Sequence, residues 1–449
     1  MQAQRAITRY HDLIARDLPA AEEQLAQLVD LQITHKTSFG GRPLTHSLRP
    51  ALLAESAYTD VQDSVYLLRQ AILKIAGTFF NQDEALEELG LEEWERELIS
   101  IPTNVIRLSA SARMDAFLTP DSFKFVEVNG ESPAGLGYVH QLGKIYQQIP
   151  IFQQFIREFP VRFVSPLEHL VHGLLRTYHE EFDGKELKPT FAIVDHLDVP
   201  TYNEFVLIKD YLGKFDMQCE IVDPRDLECR NGWIYANGRR IDILYRRLLM
   251  NEYYAIKDDC KAYLQGYKAQ KTCYLNSFRT KLVHKKALFS FLTDEKYTRI
   301  LAPQHVEAIE EHIPWTRRLR ERKTSFYGLK IDLLDFVRCN RKYFVIKPND
   351  AYGGSGVTLG FTATDSEWDA AVDEGLELGH VVQEVVDIHR EPFLVKTSNG
   401  WQYQPSVVDL DPYLNGPLMG GCLVRTSATN LANVTAGGGT LPLFILRYQ

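Results

Sequence analysis

The stretch SARMDAFLTPDSFKFVEVN, residues 111–129, contains two short β-rich runs separated by the turn sequence TPDS. It predicts an antiparallel hairpin. Side chains two positions apart on a strand point to the same face, so Arg113 and Asp115 point to one face of their strand, as Glu127 and Asn129 do on theirs. If the hairpin forms, Asp115 can face Glu127, with Arg113 at the edge of the same cluster.

Two acids, one amide and one arginine on a common face fit a metal-bound polyphosphate. Mg²⁺ takes oxygen ligands and keeps several waters, and a guanidinium beside it balances charge on a phosphoryl group in transfer. The candidate metal ligands are Asp115, Glu127 and Asn129, and Arg113 is a candidate catalytic cation. The alternative is a solvated strand face whose charges pair across the hairpin.

A second stretch, YFVIKPNDAYGGSGVTLG at residues 343–360, combines a lysine with a glycine-rich loop. An apolar strand ends at Lys347, and Gly353, Gly354 and Gly356 follow before another short strand. Glycines let backbone N–H groups approach phosphate oxygens, and the lysine supplies a charge. The loop is not a Walker A motif, because the lysine precedes the glycines and strands flank the loop on both sides. The alternative is a tight turn that needs positive φ.

Three further segments are candidates for the same site. The strand HVVQEVVDIH, residues 380–389, could present backbone groups to a base, although alone it is typical of a core strand. Arg425 precedes the glycine run Gly437–Gly439 near the C-terminus. Lys285 and Lys286 precede an apolar helical stripe, where a lysine pair usually faces solvent.

Composition excludes several classes of protein. The chain has 449 residues, of which 45% are hydrophobic and 24% charged, so it should form two or three globular domains. Its net charge of −9 argues against a general nucleic-acid binder, which needs a basic face. No apolar run approaches the roughly 18 residues that span a bilayer, and the N-terminus lacks a signal-peptide core. The six cysteines form no CxxC pair, which favours a reducing, cytoplasmic location.

The hydrophobic pattern divides the chain into four predicted parts. Residues 1–98 have helical spacing, and residues 99–186 combine the hairpin with helices. Residues 187–274 alternate strands and helices as in a parallel, Rossmann-like unit, but without a GxGxxG fingerprint. Residues 275–449 mix both types of element and contain most of the glycine-rich chemistry.

Together these segments resemble the circularly permuted ATP-grasp family, which includes the synthetase domain of glutathionylspermidine synthase. The Arg-x-Asp pair, followed twelve positions later by Glu-x-Asn, is similar to the metal-binding pattern of that family. VIKPNDAYGGSGV and GGCLVRTS with NVTAGGG resemble the phosphate loop and C-terminal motif of the type-2 permuted proteins. Unpermuted ATP-grasp enzymes place the lysine and glycine loop first, whereas here Glu127 precedes Gly353. The resemblance covers about residues 100–449.

The resemblance implies an α+β, circularly permuted ATP-grasp fold with a Rossmann-like pre-ATP-grasp unit and a helical N-terminal region. It implies ATP and Mg²⁺ as cofactors, and a carboxylate from a small molecule or peptide that becomes an acyl phosphate and is attacked by an amine. No segment resembles the amidase half of the bifunctional enzymes. The implied roles are metal binding for Asp115, Glu127 and Asn129, charge stabilisation for Arg113 and Arg425, phosphate contact for Lys286 and Lys347, a mobile lid for Gly353, Gly354 and Gly356, and an adenine slot for Gln383, Glu384 and Val386.

Two other functions stay open on the sequence alone. The chain could be a non-catalytic nucleotide-binding or scaffold protein that kept the fold, or a kinase that stops at a phosphorylated product. The intact Arg-x-Asp and Glu-x-Asn pairs argue against the first. Neither a nucleic acid nor a membrane is expected as a partner, and the oligomeric state is left open.

Overall fold

The computed structural model of the protein describes residues 2–119, 122–428 and 438–447. Residues 120 and 121 of the predicted turn, and residues 429–437 of the predicted C-terminal motif, lie outside the described residues. Within the described ranges the fold mixes helices and sheets, as the α+β prediction requires. No helix in these ranges combines the length and the apolar character needed to span a bilayer.

The first hundred residues are mainly helical, as predicted. Their elements are α1 (Gln2–Arg16), α2 (Leu18–Thr34), β1 (Ser38–Phe39), β2 (Arg42–Pro43), β3 (Ala51–Ala54), α3 (Glu55–Phe79), α4 (Asp83–Glu88) and α5 (Glu93–Ser100). Apolar residues at helical spacing, such as Val61, Val65 and Leu68 in α3, are buried and anchor the helices. Gly40 and Gly41 have positive φ and turn the chain between β1 and β2.

The predicted hairpin is confirmed in its strands and its register. The elements of this part are β4 (Ser111–Leu118), β5 (Phe123–Asn129), α6 (Leu136–Tyr146), α7 (Pro150–Glu158), β6 (Val161–Phe163) and α8 (Pro166–Glu180). Strands β4 and β5 are antiparallel, with Asp115 opposite Glu127 and Arg113 opposite Asn129. The four candidate side chains therefore come from one small patch of the sheet.

A four-stranded parallel sheet confirms the Rossmann-like prediction. The elements here are β7 (Phe191–Val194), α9 (Tyr202–Gly213), β8 (Cys219–Val222), β9 (Glu228–Arg230), β10 (Trp233–Ala236), β11 (Arg239–Arg240), β12 (Ile243–Arg246), α10 (Met250–Ala255), α11 (Lys261–Ala269) and β13 (Cys273–Leu275). The strand order is β13-β12-β7-β8, and all pairs are parallel. The chain passes from β7 to β8 on one side and later returns to β12 on the other. The carboxyl ends of β7 and β12 therefore flank a topological switch point.

The remaining residues form a small sheet and a larger one. Their elements are α12 (Lys281–His284), α13 (Leu288–Leu292), α14 (Glu295–Thr298), α15 (Pro303–His312), β14 (Thr316–Arg318), β15 (Lys323–Phe326), β16 (Leu329–Asp332), α16 (Leu333–Cys339), β17 (Phe344–Lys347), β18 (Thr358–Leu359), α17 (Asp365–Leu378), β19 (Val381–Glu384), β20 (Arg390–Thr397), β21 (Gly400–Asn415), β22 (Leu418–Ser427), β23 (Gly439–Leu441) and β24 (Leu443–Leu446). The small sheet has the order β14-β19-β17-β18 and is antiparallel.

The larger sheet joins segments that are distant in sequence. Its order is β23-β22-β21-β4-β5, with β20 also paired to β21, so the hairpin extends a sheet built mostly from the C-terminal strands. A three-stranded sheet pairs β24 with β3 in parallel and with β6 antiparallel. Strand pairing therefore crosses the predicted boundaries near residues 98 and 274, and the division into four parts stays a prediction.

A buried ion pair fastens the hairpin to the parallel sheet. Arg246, at the end of β12, and Glu131, just beyond β5, are both fully buried, and their Nη1 and Oε1 atoms are 3.1 Å apart. Arg246 also donates to the carbonyl oxygen of Leu248, and Lys281 Nζ lies 3.1 Å from Glu131 Oε2. Burial alone would raise the pKa of Glu131, but these two cations lower it to about 2.

We expect Glu131→Gln to lower the free energy of unfolding by about 3 kcal/mol, because the buried Arg246 loses its counter-charge, whereas Lys281 keeps its ion pair with Asp350. The matched control is Glu180→Gln, which breaks the exposed pair with Arg176 and should cost less than about 0.5 kcal/mol. Urea unfolding of the two variants measures both effects. Equal losses would contradict the assigned role of the buried pair.

The same pair predicts a pH dependence. A carboxyl group whose pKa falls from 4.5 to about 2 on folding contributes its stability above pH 4.5. That contribution is lost as the pH falls toward 2. The stability difference between the parent protein and Glu131→Gln should therefore shrink over this range, whereas a constant difference would contradict the assignment.

Candidate active site

A cavity of about 300 Å³ lies between the small sheet and the hairpin. It is lined by ten of the residues that the sequence singled out, namely Asp115, Glu127, Lys286, Lys347, Gly353, Gly354, Gln383, Glu384, Val386 and Arg425. Arg113 and Asn129 line an adjoining cavity of about 400 Å³, which shares Glu127, Gly353 and Arg425 with the first. We call these the nucleotide cavity and the second cavity. Twelve of the thirteen predicted site residues thus come together around one junction, whereas Gly356 lines neither cavity.

Asp115 is held between two arginines at this junction. Arg113 Nε and Nη2 donate to the two oxygens of Asp115 at 2.6 and 2.8 Å, as a bidentate pair. Arg425 Nη2 donates to Asp115 Oδ2 at 2.9 Å. Burial by itself would lower the pKa of Arg113, but Asp115 raises it above the usual arginine value. Both guanidinium groups therefore remain charged and fixed in orientation.

Arg425 also binds two aspartates that the sequence reasoning missed. Its Nη2 atom is 2.7 Å from Asp409 Oδ2 and 3.0 Å from Asp411 Oδ2, both on β21. Burial raises the pKa of Asp409 to about 6 and that of Asp411 well above the usual range, and Arg425 opposes both shifts. The sequence feature that could have identified these two aspartates is Asp-Leu-Asp on an otherwise apolar strand, because alternate residues of a strand share one face.

Glu127 and Asn129 provide the oxygen atoms that a Mg²⁺ ion requires. Asn129 Nδ2 donates to Asp115 Oδ1 at 2.9 Å and to Glu127 Oε1 at 3.3 Å, so the three side chains are in contact. Burial would raise the pKa of Glu127, but Lys286, then Lys347 and the arginines, lower it, which keeps the carboxylate ionised. Among the described residues, no group of three or more acidic, His or Cys side chains is arranged to hold a metal ion. Mg²⁺ fits such a sparse donor set, because it binds through one or two carboxylates together with phosphates and water.

Two lysines face the acids across the nucleotide cavity. Lys286 Nζ is 3.2 Å from Glu127 Oε2 and also donates to the carbonyl oxygen of Ala351. Lys347, at the end of β17, donates to Gln383 Oε1 at 2.7 Å. Burial lowers the pKa of Lys347 to about 8, while the nearby Glu127 charge opposes the shift. The interpretation of Lys286 as a solvent-facing lysine is wrong, because its side chain is 10% exposed.

The three glycines of the glycine-rich loop have the positive φ angles that the tight-turn alternative requires. Gly353, Gly354 and Gly356 have φ angles of 68°, 74° and 69°, a region that favours glycine. A Cβ atom on Gly356 would lie 2.6 Å from Pro348 Cγ, so no larger residue fits without movement. The backbone N–H of Lys286 donates to the Asn349 carbonyl at 2.9 Å and anchors the start of the loop.

The far end of the nucleotide cavity is apolar and suits a flat base. Its wall includes the strand β19 and the residues that follow it. The Glu384 carboxylate accepts a hydrogen bond of 2.6 Å from the Tyr327 hydroxyl. Gln383 lines the cavity, but its amide donates to Thr316 Oγ1 at 3.0 Å and its oxygen accepts from Lys347. The apolar lining of the cavity includes Phe117, Val126, Val345, Val357, Leu359, Phe361, Val385, Val386 and Ile388.

The second cavity extends from the junction to the parallel sheet. Asp195 follows β7 and Arg247 follows β12, so both lie at the switch point, and Glu252 comes from α10. None of these three was singled out from the sequence. The sequence feature that could have identified Asp195 and Arg247 is that each is a charged residue directly after a buried parallel strand.

No protein-family model and no curated protein matches the sequence. Among solved structures, a glutathione synthetase-like effector from Globodera pallida has a TM-score of 0.59 at 12% identity, covering 94% of this chain and 96% of that one. A γ-glutamylcysteine synthetase-type protein from Methylobacillus flagellatus covers 84% of this chain and 86% of its own at 11% identity, with a TM-score of only 0.39. A RimK domain ATP-grasp protein from Sphaerobacter thermophilus covers 55% of this chain and 95% of its own at 10% identity, with a TM-score of 0.27. At these identities the likeness concerns the fold alone. The chain has the α+β ATP-grasp fold that the sequence resemblance implied.

Proposed function

We propose that this protein is an ATP- and Mg²⁺-dependent carboxylate–amine ligase that forms an amide bond through an acyl phosphate. The observation that carries the proposal is the junction at Glu127, where the phosphate-binding lysines, the acid–arginine cluster and a second cavity meet. A γ-phosphoryl group bound between Lys347 and Arg425 would lie beside a carboxylate in the second cavity. The name of the structure with a similar fold, a glutathione synthetase-like effector, supports the same reaction class.

The chemistry explains why such a site needs charge rather than a protein nucleophile. A carboxylate acylates poorly, because its leaving group would be an oxide. Transfer of the γ-phosphoryl group of ATP to the carboxylate gives an acyl phosphate and ADP. The amine then attacks the carbonyl carbon, phosphate leaves with the bonding electron pair, and the nitrogen loses a proton. Positioning and charge neutralisation supply most of the acceleration of phosphoryl transfer.

The residues of the junction divide this work among them. Lys286 and Lys347 bind the phosphates, and Arg113 and Arg425 stabilise the charge on the transferring group. Asp115, Glu127 and Asn129 would hold Mg²⁺, which would neutralise charge on the triphosphate. The lid formed by Gly353, Gly354 and Gly356 closes over the phosphates and excludes water, which would hydrolyse the acyl phosphate.

The order of these segments also supports the proposal of a circular permutation, since the metal-binding strands precede the phosphate loop along the chain. We propose a glutathionylspermidine synthase-like enzyme without the amidase half. Its substrates would be a small-molecule or peptide carboxylate and an amine.

We expect Glu127→Ala to reduce ADP release at least about 100-fold, the loss typical of removing one group that stabilises transition-state charge. ADP is measured with ATP, Mg²⁺ and mixtures of amino acids, peptides and polyamines. Glu228→Ala, an exposed acid on β9, is the matched control and should leave the rate unchanged.

Full activity of Glu127→Ala would remove the metal assignment. ADP formed without any amine would indicate a kinase instead of a ligase. Nucleotide binding without any ADP release would indicate a non-catalytic protein.

Lys347 gives the nucleotide site a predicted pH dependence. Because its pKa is lowered to about 8, the ammonium that binds phosphate loses its proton as the pH rises through 8. The dissociation constant for ATP should then increase, approaching tenfold for each pH unit. In Lys347→Arg the side chain keeps its charge. Calorimetry between pH 7 and pH 10 should therefore find that the dissociation constant of this variant for ATP no longer increases with pH. The same slope in both proteins would exclude Lys347 as its source.

A further inference from the structure

The tip of the glycine-rich loop lies between the two cavities. Tyr352 and Gly353 line the second cavity, whereas Gly353, Gly354 and Ser355 line the nucleotide cavity. One short segment of the chain therefore forms part of the wall of each cavity. A movement of this segment changes both cavities at once.

Both ends of the loop are fixed, and its tip is exposed. Asn349 is 8% exposed, and its side chain accepts from the Ala287 backbone N–H at 2.9 Å and donates to the Leu89 carbonyl oxygen at 2.8 Å. At the other end of the loop, β18 pairs with β17 in the small sheet. Residues 352–356, between these two anchors, are all exposed, and three of the five are glycines. Backbone rotation is therefore easiest within this tip.

Tyr352 is the large side chain of the tip, and it is 59% exposed. Among the described residues, no aromatic ring packs against it and no group forms a hydrogen bond with its hydroxyl. An aromatic ring in water forgoes the favourable free energy that it would gain by burial against an apolar surface. The tip therefore carries an apolar group without a partner at the edge of the second cavity.

A substrate in the second cavity would provide the surface that this ring needs. The apolar side chains of the cavity wall are those of Phe39, Val199, Leu249 and Leu423. A molecule bound among them supplies atoms in the space that Tyr352 borders. Dispersion contacts require such atoms, since a gap of about 1 Å already removes much of the attraction. Tyr352 does not line the nucleotide cavity, so ATP alone does not provide this contact.

Building on the proposed function, we infer that Tyr352 packs on the substrate in the second cavity and thereby holds the glycine-rich loop closed over the phosphates of ATP. The nucleotide alone leaves the loop mostly open. The second ligand shifts the loop to the closed form, because it binds that form more tightly. The γ-phosphoryl group is then enclosed only when a carboxylate is present to accept it, which prevents transfer to water.

The test is limited proteolysis of the full chain with chymotrypsin, which cleaves after aromatic residues and would divide the chain after Tyr352. The chain is digested with Mg²⁺ and a non-hydrolysable ATP analogue, with a mixture of amino acids, short peptides and dicarboxylates, and with both. We expect cleavage after Tyr352 to be at least about tenfold slower with both than with either alone, because the rate follows the population of the open loop. Cleavage after Phe215, an exposed residue in the turn that follows α9, is the internal control and should not change.

Tyr352→Ala should separate loop closure from nucleotide binding. Calorimetry should find its dissociation constant for the ATP analogue unchanged, because this side chain does not line the nucleotide cavity. The KM for the carboxylate substrate identified by ADP release should rise at least about tenfold, and the variant should form more ADP than amide. Tyr352→Phe keeps the ring and should retain the KM of the parent protein and its protection from chymotrypsin. Tyr66→Ala, which removes a 53% exposed tyrosine from α3, is the matched control and should leave all these values unchanged.

Three results would overturn the inference. They are full protection by the ATP analogue alone, no added protection from any component of the mixture, and a KM and an ADP-to-amide ratio that stay the same in Tyr352→Ala.

The proteolysis experiment does not depend on turnover, so the two proposals can fail separately. Protection that needs both ligands, in a protein that never releases ADP, would support the role of Tyr352 and overturn the ligase assignment. ADP release that needs an acid and an amine, with full protection by the ATP analogue alone, would do the reverse.

Discussion

The geometry of the site depends on Arg425, which contacts three buried carboxylates. Its Nη2 atom lies 2.9, 2.7 and 3.0 Å from oxygens of Asp115, Asp409 and Asp411. Asp115 lies on β4 and the other two on the neighbouring strand β21, so without the guanidinium these charges would repel each other across the strand pair. The ion pairs therefore allow an acidic hairpin to join the larger sheet at the place where phosphate would bind.

Two different sheets supply the two sides of the nucleotide cavity. The larger sheet contributes the acids and arginines, and the small sheet contributes Lys347 and the residues after β19. Lys281 and Lys285 connect the sides, since each Nζ lies within 2.9 Å of an Asp350 oxygen at the start of the glycine-rich loop. The position of the loop is therefore set by buried charges, while its glycines keep their conformational freedom.

The sequence predicted most of the local structure and ten of the twenty-three residues that line the nucleotide cavity. The hairpin register followed from residues two apart on short β-rich runs, and the parallel sheet from strands alternating with a helix. The site residues were found because each belongs to a motif that can be recognised locally. The roles assigned to them stay predictions.

What the sequence reasoning missed depends on contacts between distant segments. Asp409 and Asp411 reach the site only because β21 pairs with β4. Asp195 reaches the second cavity only because β7 and β12 are neighbours in the parallel sheet. The local pattern around Lys286 left open a solvent-facing lysine, and the contact of its Nζ with Glu127 Oε2 at 3.2 Å exists only in the folded chain. Local patterns predict elements, whereas burial and ion pairing depend on the tertiary arrangement.

The pairing of β3 with β24 has a consequence for biosynthesis. Residues 51–54 leave the ribosome early, but their parallel partner, residues 443–446, is made almost four hundred residues later. During most of translation the early strand therefore has an open hydrogen-bonding edge, which is a hazard for pairing with other nascent chains. This sheet is completed only after residues 443–446 have been made, and its assembly should be among the slow steps of folding.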